Sequence, residues 1–156
     1  MSDIEQDMIK VRFDLSDVEG APGGETMWAT KTDYNHARLE NIPFFAYGYA
    51  IRDIVKLRVD DPEDFPEVLS VETPSGEQTL RVLTDTTLDE EQTNEFIKKL
   101  ADRLHEAGAT IERGYSSLVA ISALEGEAYD ATVAILTELE LEGQLQWEDG
   151  MSMLES

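Results

Sequence analysis

Apolar residues recur with a period of two through the first half of this chain and with a helical period in two stretches of the second, which limits the folds open to it. Ile9, Val11, Phe13 and Leu15 alternate with Lys10, Arg12 and Asp14, the pattern of a half-buried strand. Met27 to Lys31 reads as the next strand, with Trp28 as its main anchor, and Tyr34 to Ala37 as a turn. Ala50 to Val59 carries a strand with Val55, Leu57 and Val59 on one face, and Glu67 to Glu72 carries another. Gly20 to Gly24 and Asp60 to Pro66 are loops, because Gly, Pro and Asp punctuate regular structure. Short strands with tight connections, ahead of any helix, predict a small barrel-like curved sheet.

The second half has a different rhythm. Thr87-Leu88-Asp89-Glu90 fits a capping box, so a helix is expected from there, with Phe96, Ile97, Leu100, Ala101, Leu104 and Ala107 along one stripe. Gly108 should end it. Ala109 to Glu112 and Ser117 to Ser122 read as strands. A helix follows from Ala128 to Glu142, facing inward through Tyr129, Val133, Leu136 and Leu139, and Gln144 to Glu148 is a last strand. Preceded by Gln78 to Leu83, the order is β-α-β-β-α-β, the ferredoxin-like pattern. The expected class is α+β: a β-rich part over residues 8–75 packed on a ferredoxin-like part over 76–149, with 1–7 and 150–156 as flexible termini.

Charge limits function more than composition does. The chain has 34 acids against 12 bases, a formal net of -22, which repels phosphate backbones and anionic lipid, so nucleic-acid and membrane partners are not expected. A basic protein partner is. The surface expected to meet it is the loop of Asp60, Asp61, Glu63 and Asp64 together with Glu91, Glu95 and Asp102 on the first helix. Acidity also serves solubility or a high-salt habitat, and that alternative stays open. The acidic leader lacks the basic and apolar regions of a secretory signal, and a chain with 0 Cys forms no disulfide, so a cytoplasmic location is expected.

Asn41-Ile42-Pro43-Phe44-Phe45-Ala46-Tyr47-Gly48-Tyr49 is the densest apolar and aromatic run. Pro43 disfavours a helix, so the run reads as an irregular segment laid across a sheet, with Ile42, Phe44 and Phe45 buried and Gly48 at a bend. With Trp28-Ala29 before it, then Asp53-Ile54-Val55, and Ser75-Gly76 leading to Thr79-Leu80-Arg81-Val82, it resembles the bacterial domain of unknown function 4265 family. The resemblance spans about Val11 to Trp147 and implies a fold but no activity. Family members commonly carry Gly where this chain has Arg52, which leaves the tightness of the bend before Asp53 open. The resemblance also directs attention to Asn41, Asp53, Ser75 and Arg81, polar members of an apolar signature that must find partners. An Asp53 to Arg81 ion pair, or Asn41 closing a turn, would make them structural. Grouped with Trp28 they would instead line a small pocket.

Catalytic motifs are sparse. His36 and His105 lack any paired ligand spacing and read as exposed, so neither a metal site nor a cofactor is expected. The acidic loop lacks the Gly-centred frame of a calcium-binding hand, and Ser75-Gly76 lacks the frame of a nucleophile elbow. The expected function is therefore a non-catalytic acidic protein that neutralises or regulates a basic partner. The alternative is a small-molecule-binding protein or enzyme with its pocket near Trp28, Asn41, Asp53 and Arg81.

Overall fold

Alternating residues near the start of the chain form β1 (Met8–Asp14), which buries Val11 and Phe13 on one face, with Leu15 buried just beyond it. The structure, a computed structural model, describes residues 8–16, 23–60, 64–114 and 117–151. The termini, most of the Gly20 to Gly24 loop, and Asp61 and Glu63 of the acidic loop lie outside the described residues. The class is mixed α+β, with two helices and two antiparallel sheets among the described residues, in two units, Met1–Glu77 and Gln78–Ser156.

In the N-terminal unit β1 pairs antiparallel with β2 (Gly24–Asp33), β2 with β3 (His36–Leu39), β3 with β4 (Ile54–Arg58), and β4 with β5 (Glu67–Thr73). A single parallel pair, Arg12 with Glu67, joins β5 to β1, so the five strands close on themselves. The core inside them comes from alternate residues of each strand, among them Val11, Met27, Ala29, Leu39, Val55 and Val68.

Three expectations for this unit are corrected. Trp28 is not the anchor of its strand. Met27 and Ala29 hold the inward parity, so the residue between them points out and is 46% exposed, with the Lys10 ammonium 5.0 Å from its ring centroid. The turn after β2 is confined to Tyr34 and Asn35, and His36 already belongs to β3, whose four residues are too few to show a period. Val59 lies beyond the end of β4 and is exposed.

The C-terminal unit holds β6 (Glu77–Thr84) from Gln78 on, α1 (Glu90–Glu106), β7 (Thr110–Arg113), β8 (Leu118–Leu124), α2 (Glu127–Leu141) and β9 (Leu145–Asp149). Its strands lie in the order β7-β8-β6-β9. Val82 stands opposite Trp147 and Ile111 opposite Ile121, and these pairs share one core with Ile97, Leu100 and Leu104 of α1 and Leu136 and Leu139 of α2. Burial of the helix stripes supplies most of their stability, since isolated helices of this length are marginal in water. Among the described residues no helix is long and apolar enough to cross a membrane.

The cap of α1 is also corrected. The Asp89 carboxylate accepts from the Gln92 N–H at 2.7 Å, and the Gln92 side chain accepts from the Asp89 N–H at 3.0 Å. Thr87 does not cap, because the helix starts at Glu90, two residues beyond where a Thr87 cap would start it; its hydroxyl and N–H both donate to Asp85 Oδ1, at 2.7 and 2.9 Å. Sequence spacing allows both boxes, and the helix begins directly after the second. Asp89→Ala should therefore lower stability by about 1 kcal/mol in urea unfolding, and the loss should exceed that of Thr87→Ala. The reverse order would restore Thr87 as the cap.

Candidate functional site

The signature segment has no strand or helix between Asn41 and Asp53, so its backbone N–H groups have no ladder to join and need other acceptors. Glu25 on β2 is the acceptor for three of them. Its Oε2 accepts from the Phe44 N–H at 2.6 Å, and its Oε1 accepts from the N–H groups of Phe45 and Ala46, both at 3.1 Å. Three successive donors reach one carboxylate only if the chain curls, so the run is not simply extended. Ile42 and Pro43 are buried, but Phe44 and Phe45 are only half-buried, because a curled backbone cannot turn every side chain inward. Phe45, Ala46 and Tyr49 pack on the core of the five strands, with the Tyr49 ring edge-on to Phe13 at 4.9 Å between centroids.

Asp53 makes a second clip. It is 2% exposed; its Oδ2 accepts from the Ala50 N–H at 2.9 Å and its Oδ1 from the Ser75 N–H at 2.8 Å. The Ser75 hydroxyl donates to the Ile51 carbonyl at 2.9 Å. Burial pushes the Tyr49 phenol pKa up, and the Asp53 carboxylate adds to that shift. Asn41 Oδ1 accepts from the Trp28 N–H at 3.0 Å, which ties the start of the segment to β2. Asp53 and Ser75 are thus brought together, as are Trp28 and Asn41. Arg81, on β6, is 4% exposed and has Nη1 3.7 Å from Glu148 Oε1.

Glu25 did not emerge from the sequence reading. Its one signal is parity: it shares the inward-facing alternation of Met27 and Ala29, where a carboxylate must find donors.

The bend before Asp53 is retained despite the missing Gly. Arg52 has φ 71°, in the left-handed region that favours glycine, and its side chain is exposed. Arg52→Gly should relieve this strain and raise stability by roughly 0.5 to 1 kcal/mol in urea unfolding, after the greater unfolded-state entropy of Gly is subtracted. A loss of stability would show that Arg52 holds the bend through its side chain.

The two histidines differ. His105 is exposed on α1, but His36 is half-buried, with Nδ1 2.8 Å from Asp33 Oδ1. Pairing within β2 and β3 draws it in, and its hydrogen bond, with a backbone N–H from Asn35, holds the Asp33 carboxyl below its ordinary range. Among the described residues no group of three His, Asp or Glu side chains is placed to hold a metal ion.

The expected acidic surface divides. Asp60 is 3.1 Å from Arg58, and Glu67 takes Arg58 at 2.8 Å and Arg12 at 3.3 Å, so part of the loop's charge is matched within its own unit. Asp64 is exposed. On α1, Glu91, Glu95 and Asp102 are exposed, with Lys99 3.9 Å from Glu95. Glu91 and Glu95, together with Asp85 and Glu142, line an open cleft of about 870 Å³ over the half-buried side chains of Leu88 and Phe96. Asp102 is not part of its lining. Hydrogen bonds from Thr87 hold the Asp85 carboxyl below the usual range, so it stays charged to lower pH.

Fold and site together define a two-unit α+β protein with a carboxylate-clipped signature segment and an acid-rimmed surface cleft. The family model described as a domain of unknown function (DUF4265) matches residues 25–147, and the chain belongs to that family. A solved structure described as a hypothetical protein from Neisseria gonorrhoeae is similar to it, with a TM-score of 0.74 and 19% identity over 94% of this chain and 96% of that one. That likeness concerns the fold alone. No curated protein matches the chain in sequence.

Proposed function

We propose that this is a non-catalytic acidic binding protein of the cytoplasm that neutralises or regulates a basic partner protein, in the manner of an immunity-type inhibitor. The observation that carries this reading is the cleft: Glu91 and Glu95 project beside accessible apolar surface on Leu88 and Phe96, a pairing suited to binding. The net charge of -22 supports it through electrostatic steering of a cationic partner. The signature supports it indirectly. Asn41, Asp53 and Ser75 are engaged with backbone groups, which favours a structural role over a pocket shared with Trp28 and Arg81. In the same reading the closed five-stranded sheet is a small barrel, and the β7-β8-β6-β9 order is that of a ferredoxin-like unit.

Association with a basic protein encoded beside this gene tests the proposal. Its rate constant, followed by stopped-flow fluorescence, should fall by about ten- to a hundredfold between roughly 20 mM and 0.5 M salt. A salt-independent rate, or no association with such a neighbour, would contradict it. If the acidity were instead an adaptation to high salt, the chain would unfold when salt is withdrawn.

A further inference from the structure

We infer that the cleft between the start of α1 and the end of α2 receives a basic amphipathic segment of the partner, with one large apolar side chain seated on Phe96 and Leu88 and cations at the rim. This rests on the proposed binding of a basic partner, and adds where the partner docks and what it must carry. Among the described residues the rim offers carboxylates from Asp85, Glu91, Glu95 and Glu142 against the ammonium of Lys99, which already lies 3.9 Å from Glu95. A simple polycation would satisfy the rim and leave the apolar floor uncovered. An apolar segment without cations would leave the carboxylates desolvated and unpaired, which is unfavourable.

The cleft also continues beyond its own walls. A neighbouring depression of about 430 Å³ shares Asp85 and Gly143 with it and adds Glu140 and the exposed Leu83, so both acidic and apolar side chains line the pair of adjoining depressions. Together they suit an extended or helical segment more than a small molecule. A second copy of this chain is a poor occupant, because it brings another net charge of -22. At the other end of the helix pair a smaller depression of about 450 Å³, bordered by Glu106, Leu124 and Glu125, provides an internal control.

The test uses the full chain, isotope-labelled, and two synthetic peptides of equal charge: one of Lys and Leu in an amphipathic helical pattern, and one with Ser in place of Leu. The Lys/Leu peptide should bind about tenfold more tightly and shift the amide signals of Leu88, Phe96 and Gly143. The double variant Glu95→Lys with Glu142→Lys should weaken it about tenfold, while Glu106→Lys with Glu125→Lys, an equal change in net charge, should weaken it less than about twofold. Circular dichroism on both variants separates lost binding from lost fold. Equal losses in the two variants, or shifts at the far end, would overturn the docking site while leaving a basic partner in place. Equal binding of both peptides would overturn the role of the apolar floor. Absence of binding by either peptide at low salt would overturn the site and the proposed function together.

Discussion

Replacing Glu25 by Ala is expected to lower the unfolding free energy by roughly 2 to 4 kcal/mol, because three N–H groups lose a charged acceptor at once and water restores only part of what they lose. The direction is informative in this chain. With 34 acids against 12 bases, removing an exposed carboxylate relieves repulsion, so most Glu→Gln changes should be neutral or mildly stabilising. Glu25→Gln should run the other way, since its amide retains one oxygen acceptor and turns two N–H donors toward the donors of Phe44 to Ala46. Glu140→Gln, at an exposed helix position, is the control and should change stability by less than about 0.5 kcal/mol. Urea unfolding of the three variants decides the matter: if Glu25→Ala behaves like the control, the clip does not hold the segment.

Asp53→Ala should cost about 3 kcal/mol, for a related but distinct reason. The carboxylate is almost fully buried, so its loss strands the Ala50 and Ser75 N–H groups without giving water easy access. Asp53→Asn should be nearly as damaging, because whichever oxygen becomes the amide nitrogen then faces an N–H donor. Ser75→Ala removes the bond its hydroxyl donates to the Ile51 carbonyl and the one it accepts from the Glu77 N–H at 3.1 Å, and should cost about 1 to 2 kcal/mol. The expected order of loss is therefore Asp53→Ala, then Asp53→Asn, then Ser75→Ala. An Asp53→Asn variant as stable as the native chain would contradict the clip. In that variant the Tyr49 phenol should titrate at a lower pH than in the native chain, but still above its ordinary value, since burial is the larger cause of its shift.

How much of this was legible depended on whether the deciding contact was local. The parity of β1 and the stripe of α1 are set by residues a few positions apart, and Val11, Phe13, Leu100 and Leu104 are buried as their spacing requires. Trp28 misled because size suggested an anchor, whereas the parity of Met27 and Ala29 fixes which way the strand faces. Asn41, Asp53 and Ser75 stood out as polar groups among apolar ones, but nothing local named their partners. Glu25 was hidden for the same reason: its three donors lie 19 to 21 positions further along, and only the folded strand brings the carboxylate beneath them. The acid-rimmed cleft joins residues of α1 to residues beyond α2, so only Glu91 and Glu95 of its rim could be proposed from charge alone.

Carboxylates take the place of a sheet ladder for the N–H groups of Phe44, Phe45, Ala46 and Ala50, and the stability losses expected at Glu25 and Asp53 depend on this. Amide hydrogen exchange, resolved by residue, measures it most directly in the native chain and in Glu25→Gln. The amides of Phe44, Phe45 and Ala46 should be protected in the native chain and lose that protection selectively in the variant, while Val11 and Ala29 in the paired strands stay slow. Unprotected amides at Phe44 to Ala46 in the native chain, or protection unchanged by the substitution, would contradict it.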